Sequence, residues 1–298
     1  MAQLTTDVSI IGAGVVGTCV GKGLIQLHYR VKFYDASGAR VGELQSEGLI
    51  ASTTLDAALR DSTISIVCVP TPTVNGRISL AYLESAVTEL GNYLRSQRDY
   101  HLVVIKSSVV PTTTENIVIP MLEKHSKRKV GEQLGVCVNP EFLTEINQSW
   151  TTDPSFARGF MNEPAIVIGE SDAHAGEMLA ELYDPLHRPT VRTTLATAEM
   201  IKYAFNCALA TRISYWNEIY YVCKQLGIDS EIVARVAGTD PRIGTYGTIH
   251  GKAFGGKCLP KDLQAFIDWA EERGYEPKLL RAVQEINERI AKERGVRE

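Results

Sequence analysis

The chain has 298 residues, 44% of them hydrophobic and 22% charged, with a formal net charge of −4. These are globular proportions at a length that suits two domains, and no run of ~18 apolar residues exists to span a bilayer. Basic residues are scattered apart from the short "KHSKRK" at 124–129, so neither nucleic acid nor a membrane is an expected partner.

The opening, "MAQLTTDVSIIGAGVVG", lacks a basic segment leading into a long apolar stretch. Its apolar run breaks at glycines as a strand and turn do, so no secretory signal is read there and the expected location is cytoplasmic. "IIGAGVVG" sets Gly12, Gly14 and Gly17 in a GxGxxG between a strand and the first crossover helix, expected over 16–30. Gly12 allows the tight turn, Gly14 lets a pyrophosphate approach the backbone, and Gly17 lets helix and strand pack closely. The strand "VKFYD" ends in Asp35, 18 residues after Gly17. A carboxylate there accepts both ribose hydroxyls and repels the 2′-phosphate of NADP, so the expected cofactor is NAD.

Apolar runs continue as "ISIVCVP", "HLVVIKS", "GVCVNPE" and "AIVIGE", with "VSIIGAG" and "VKFYD" making six. Helical spacers between them imply an α/β class with a doubly wound, mostly parallel sheet. Ligands bind such sheets at the carboxyl ends of the strands. The loops "PTPTVNG" and "SSVVPTTT" follow strands directly, which brings Pro70, Thr71, Ser107 and Ser108 forward as contact residues; simple turn chemistry is the plain alternative for the paired serines.

After "IVIGE" the character changes. Residues 196–226 hold no Gly or Pro and predict one long helix. "DSEIVARVAG" follows with an aspartate suited to cap a helix and a glycine suited to stop it. Two charged amphipathic helices are expected near 262–273 and 277–294. The expected domains are therefore 1–195, Rossmann-like, and 196–298, the long helix with a small all-helical domain. "YWNEIYY" presents aromatics that suit a homodimer contact through the long helix, with packing inside the monomer as the alternative.

The six cysteines are far apart and form no CxxC pair. Neither a disulfide framework nor a metal site is expected, and most should be buried thiols. Three constellations carry potential chemistry. "AEMIKYAFN" places Lys202 and Asn206 four apart on one helical face among residues suited to burial. Such a pair can bind a developing oxyanion, and desolvation lowers a lysine pKa; a solvated lysine beside a polar neighbour is the alternative. "NPEFLTE" carries Glu141 and Glu145, also four apart, where a helix could begin. Two carboxylates so spaced serve acid–base work or form a solvated edge. "AFGGKCLPKDL" sets Cys258 after Gly255 and Gly256, with Lys257 and Lys261 close by. A core thiol needs no flanking glycines and a metal ligand needs partners, which makes a nucleophile competitive. Positive potential favours the thiolate, and the glycines let a reacting carbon approach.

In order along the chain, the glycine turn with its aspartate, "KSSVVP", "NPEFLTE", "AEMIKYAFN", "YWNE", "DPRIG" and "FGGKCLPKD" resemble the UDP-glucose and GDP-mannose dehydrogenase family over essentially the whole chain. The resemblance implies a four-electron oxidation of a primary alcohol to a carboxylate with two NAD⁺. It implies that Cys258 attacks an aldehyde to give a thiohemiacetal and then a thioester, that Lys202 and Asn206 stabilise oxyanions, and that Lys202 or an Asp262-held water accepts the first proton. It implies that Glu145 assists hydrolysis and Ser108, where the family has threonine, holds a catalytic water. Cofactor contacts fall to Gly12, Gly14, Val15, Val16, Gly17, Asp35, Pro70, Thr71, Ser107 and Glu141. Substrate contacts fall to Phe142, Leu143, Arg242, Phe254, Gly255 and Lys261.

The pattern departs in places. The family's "PDRIVIG" reads "EPAIVIG" here, its "ExLREG" ending reads "LTEIN", the next loop is longer, and "KSSVVP" carries an extra valine relative to "KSTVP". The chain also stops where the family's third domain, which closes over the nucleotide, is expected to begin. A UDP-sugar is the expected substrate, with the 5′-alcohol or another primary alcohol of a smaller nucleoside or nucleotide as an alternative. A single-step hydroxyacid-type dehydrogenase, in which the thiol is incidental, is the second alternative, and a non-catalytic subunit a third.

Overall fold

A computed structural model describes residues 7–74, 76–144, 150–151, 153–256 and 258–297. The chain divides into two compact units. The first comprises residues 1–72, 79–143 and 159–202, and the second comprises 73–78, 144–158 and 203–298.

The first unit is built on an eight-stranded sheet. Its strands are β1 (Asp7–Ile11), β2 (Arg30–Tyr34), β3 (Ile50–Ser52), β4 (Ile64–Val67), β5 (His101–Ile105), β6 (Leu134–Val138), β7 (Ile166–Glu170) and β8 (Thr190–Thr194). Their spatial order is 8-7-6-5-4-1-2-3. All neighbours are parallel except β6 and β7. The run 3-2-1-4-5-6 is the doubly wound order, whose topological switch lies between β1 and β4. β1, β4, β5 and β6 are buried along their whole lengths, which is why they read as continuous apolar runs.

Helices cover this sheet: α1 (Val15–Gln26), α2 (Gly38–Ser46), α3 (Leu55–Leu59), α4 (Ala81–Leu94), α5 (Ile119–Ser126) and α6 (Ala173–Tyr183). Val8, Ile10, Leu24, Phe33, Ile66, Val104 and Ile168 belong to one buried cluster, and each such side chain contributes ~1.5–3 kcal/mol by leaving water. The first crossover helix ends at Gln26, short of the expected residue 30, because the chain turns at His28 with φ of 68° to enter β2.

The long helix, α7, runs unbroken over Leu195–Leu226, 32 residues. Its first two turns belong to the first unit and the remainder to the second. The second unit continues with α8 (Ser230–Ala237), α9 (Leu259–Glu271) and α10 (Lys278–Arg294). Asp229 caps α8 by accepting the N–H groups of Glu231 and Ile232, and Gly238 follows its last turn. Two short strand pairs accompany the helices. Thr73–Val74 lies antiparallel to Arg77–Ile78, and Ala253–Phe254 lies parallel to Val296–Arg297. Cys207, Ala210, Ile213, Phe254, Leu263, Ile267 and Val283 form this unit's core. Among the described residues no helix is long and apolar enough to cross a membrane.

A polar chain crosses the centre of the first sheet. Ser9 Oγ and Ser65 Oγ are 2.8 Å apart, and Ser65 Oγ lies 2.7 Å from Nε2 of buried His101. Burial first, and the charge of Arg128 second, push His101 down from its usual 6.5 to about 4. The unfolded chain therefore binds a proton that the fold refuses. Stability from this residue is complete above pH ~6.5 and is lost as pH falls toward ~4, about 3 kcal/mol in all. Urea denaturation at pH 7 and pH 4.5 should show His101→Gln losing ~2–3 kcal/mol less than the wild type between the two. Equal losses would contradict this account.

Candidate active site

Among the residues expected at the nucleotide turn, the three glycines do different work. Gly12 has φ of +93°, and a Cβ there would come within 2.8 Å of the Cys68 carbonyl oxygen. A Cβ on Gly17 would run into the carbonyl oxygen of Gly12. A Cβ on Gly14 would meet no atom of the described residues beyond its own helix and chain neighbours within 4 Å. Two of the glycines are thus required by packing, and the third leaves room for a ligand at the start of α1. Gly14 caps that helix without a side-chain bond, and Val15 and Val16 open its first turn, an arrangement of backbone N–H groups and helix dipole that suits a phosphate.

Asp35, half-buried, accepts the N–H of Ala13 at 2.9 Å through Oδ2 and that of Ser37 at 2.9 Å through Oδ1. Arg40, which sequence patterns did not single out, donates to the Ala13 carbonyl at 2.7 Å and to Thr18 Oγ1 at 2.8 Å. It braces the turn from α2, and only contact in three dimensions reveals it. These residues fit a dinucleotide: open backbone at the helix start and an anchored carboxylate beside it.

Pro70, Thr71, Ser107 and Ser108 lie beyond the ends of β4 and β5. Ser107 Oγ donates to the Val69 carbonyl at 2.7 Å, and Thr71 Oγ1 donates to the Ser108 carbonyl at 2.6 Å, so the two loops are stitched to each other. Glu199 on α7, also unforeseen, accepts the N–H groups of Thr112 at 2.6 Å and Thr114 at 2.8 Å. It holds the end of the loop that begins at Ser107, where Thr112 sits at φ of 72°. Burial raises Glu199 to about 7 against the opposing pull of those bonds.

Glu141 follows β6, and the expected helix does not begin in the described part of "NPEFLTE": residues 141–143 are irregular and Thr144 forms an isolated bridge with Arg158. The reason is visible in the bonds of Glu141. Lys202 Nζ donates to its carbonyl at 2.7 Å and to Oε1 at 2.8 Å, while Oε2 accepts the N–H of Leu143 at 2.7 Å. Glu141 is 8% exposed and Lys202 5%. Burial alone would raise Glu141; the charge and hydrogen bond of Lys202, the Leu143 N–H and the charge of Lys106 together outweigh it and hold the carboxyl below its usual range. Lys202 Nζ also stands 5.7 Å from the Phe142 ring centroid. Glu145 lies outside the described residues.

In the second unit, Asn206 Nδ2 donates to Oδ2 of Asp262 at 2.6 Å, and Lys261 Nζ donates to Oδ1 at 2.5 Å. Asp262 is 1% exposed, and its N–H donates to the Cys258 carbonyl at 2.9 Å. Cys258 caps α9, with Pro260 in the first turn. Of the six cysteines it alone is exposed. Burial drives the Cys68 and Cys207 thiols up to about 12, so those two stay protonated.

The neighbours of Cys258 differ in what surrounds them. Phe254 is buried in the unit's core with its N–H and carbonyl bonded to Asn287. A Cβ on Gly255 would strike Val296, so chain packing accounts for that glycine. Gly256, at φ of +75° and with no described residue beyond its chain neighbours within 4 Å of where its Cβ would stand, is the one of the two that combines a left-handed turn with open space. Arg242 is exposed and paired with Asp240 at 2.6 Å.

Residues 44–187 match the family model described as UDP-glucose/GDP-mannose dehydrogenase family, NAD binding domain, and residues 196–289 match the same family's central domain. The chain is 36% identical to a UDP-glucose 6-dehydrogenase of Haloferax volcanii, over 95% of this chain and 69% of that protein. It is 35% identical to a GDP-mannose 6-dehydrogenase of Azotobacter vinelandii, over 94% of this chain and 68% of that protein. Its fold superimposes on a UDP-glucose dehydrogenase from Pyrobaculum islandicum with a TM-score of 0.87 at 30% identity, covering 98% of this chain and 70% of that one.

The buried pair predicts a thermodynamic result. Glu141→Gln strands a buried ammonium and Lys202→Met strands a buried carboxylate, so each should cost ~3–5 kcal/mol. The double substitution should cost less than their sum by at least ~1.5 kcal/mol. Urea denaturation of the three variants checks this; additive losses would show that the pair is not coupled.

Proposed function

Since the chain belongs to the UDP-glucose/GDP-mannose dehydrogenase family and is an NAD-dependent dehydrogenase acting on a CH–OH group, we propose that it oxidises the primary alcohol of a nucleotide sugar, a UDP-sugar first, to the carboxylate through a thioester on Cys258. The observation that carries this reading is the state of the six thiols. Cys258 alone is exposed, and it caps a helix whose buried Asp262 is bonded to Asn206.

NAD, when bound, accepts the hydride in each of the two oxidations. Gly14, the first turn of α1 and Asp35 would hold its pyrophosphate and ribose, and Pro70, Thr71 and Ser107 line the strand ends beyond. The remaining chemistry belongs to side chains. A base, Lys202 or a water held by Asp262, takes the alcohol proton while the carbon gives up hydride, leaving an aldehyde. The Cys258 sulfur then bonds to the aldehyde carbon, its proton passing to the oxygen, which yields a thiohemiacetal. Loss of a second hydride from that carbon and a proton from its hydroxyl leaves the thioester. Water, positioned by Ser108 and activated by Glu145, adds to the carbonyl, and breaking of the C–S bond returns the thiol and frees the acid. Overall the alcohol, two NAD⁺ and one water give the carboxylate, two NADH and three protons.

Lys202 and Asn206 lie one helical turn apart on α7 and carry donors toward developing oxyanions. Glu141 fixes the position of the Lys202 amine by accepting from it through its carbonyl and Oε1. Covalent capture explains a nucleophile in a dehydrogenase, because it keeps the aldehyde bound between the two oxidations. Phe142, Leu143, Arg242, Phe254, Gly255 and Lys261 are assigned to substrate. A homodimer through α7 completes the reading, supported by exposed apolar side chains at Tyr215 (53%), Val222 (50%) and Leu226 (65%). The unbridged chemistry of the buried thiols suits a reducing, cytoplasmic location.

The test is NADH formed per substrate consumed, with UDP-glucose, GDP-mannose, nucleosides and nucleoside monophosphates. The wild type should give two NADH per UDP-sugar, and Cys258→Ser should lose acid formation by roughly a thousandfold or more. One NADH per substrate with an unimpaired Cys258→Ser would replace this reading with a single-step dehydrogenase.

A further inference from the structure

Where the family pattern reads "PDRIVIG" this chain reads "EPAIVIG", which puts Glu163 at the first position. The substitution is not a surface change. Glu163 is 2% exposed, and it stands between the short helix Phe160–Asn162 and β7. The groups that act on its carboxyl are Lys106, Glu141 and Lys202. Four ionisable side chains of the first unit, two amines and two carboxyls, therefore share one buried neighbourhood, and Lys202 and Glu141 belong to the candidate catalytic set.

Their bonds are unequal. Glu141 is held through both oxygens by Lys202 and the Leu143 N–H. Lys106 Nζ donates to Asn139 Oδ1 at 2.7 Å, and the Tyr183 hydroxyl donates to the same oxygen at 2.8 Å. Asn139 is fixed in turn by donating to the Val167 carbonyl at 2.8 Å. Glu163 Oε1, by contrast, is buried with no hydrogen bond among the described residues. An ionised carboxylate in that position forfeits the desolvation of an unsatisfied oxygen, and a proton removes most of that cost. Burial raises Glu163, with Lys106 and Lys202 opposing and Glu141 reinforcing the shift. Around the same lysine, Tyr183 and Cys68 are driven up to about 12 and stay neutral at working pH. Of these groups, Glu163 is the one whose charge the surroundings support least.

We propose that Glu163 is a positioning residue of the dehydrogenase site, a second buried carboxyl whose protonation sets the net charge around the Glu141–Lys202 pair. With Glu163 neutral, the two lysines outnumber Glu141 and the neighbourhood carries one net positive charge. With Glu163 ionised, the charges cancel. The net charge that a reacting oxygen meets beside Lys202 is thereby set by a residue that never touches substrate. The inference rests on the reading of Lys202 as part of the dehydrogenase machinery.

The experiment has two arms on the full chain. In the first, the pH dependence of kcat and of KM for NADH formation from UDP-glucose is compared for wild type, Glu163→Gln and Glu163→Asp. Gln is fixed as neutral, so Glu163→Gln should lose from the kcat profile the step that ionisation of Glu163 imposes, with Glu163→Asp keeping it. A Glu163→Gln profile superimposable on wild type, with only a lower Tm, would overturn the proposal and leave Glu163 a packing residue. In the second arm, infrared difference spectra of wild type against Glu163→Gln follow the carbonyl stretch of a protonated carboxyl, which should persist, in the wild type alone, above the pH range where ordinary glutamates ionise. A wild type that oxidised no nucleotide sugar yet kept this band would sink the dehydrogenase reading and leave the protonation of Glu163 standing. Loss of the band in the ordinary carboxylate range would sink the proposal itself.

Discussion

Burying a lysine ammonium is costly unless an anion meets it, and that constraint organises the chemical end of the first unit. Lys202 reaches the backbone and the side chain of Glu141 at once. Glu141 can supply both because the chain leaves β6 in an irregular turn instead of a helix. The turn is closed by the N–H of Leu143, and α7 is pinned three residues earlier by Glu199, which grips the loop after β5. The carboxyl ends of β5 and β6 and the start of α7 are thus tied by carboxylates that face inward. Each would be costly alone, and together they fix the position of one amine.

The second unit repeats the device with the charge inverted. Here the buried group is an aspartate, and its two oxygens are taken by the amide of Asn206 and the ammonium of Lys261. Asp262 in turn sits one helical turn from Cys258, whose carbonyl receives its N–H. The thiol stands at the beginning of a helix, exposed, whereas Cys137, Cys207 and Cys223 are buried. A nucleophile and its support arise from five consecutive residues of α9 and its cap, which is why so short a stretch of sequence carries so much chemical information.

The sheet was legible where its strands are buried on both faces. The six apolar runs became β1, β2, β4, β5, β6 and β7. Two strands left no such trace: Ile50–Ser52 has only three residues, and Thr190–Thr194 is an exposed edge strand of mostly polar side chains, held by its backbone pairing to β7. The long helix was legible from the absence of Gly and Pro, and α8 from its aspartate cap. At the site, spacing pointed to Lys202 with Asn206 and to Cys258, because each is local. It could not reveal that Lys202 meets Glu141 across 61 positions or that Asn206 meets Asp262 across 56. Nor could it separate Gly255, required by Val296, from Gly256, which borders open space. Arg40, Lys106, Asn139 and Glu199 were missed for the same reason: their roles exist only in contacts between distant segments.

The central claim is that Cys258 becomes covalently bound to the substrate carbon during turnover. Mass spectrometry of the Cys258-bearing peptide, after rapid acid quenching of wild type with NAD⁺ and UDP-glucose, tests it most directly. The account predicts an acyl adduct on Cys258 that appears with the first NADH and disappears as substrate is exhausted. Turnover to the carboxylate with Cys258 unmodified at every quench time would contradict it.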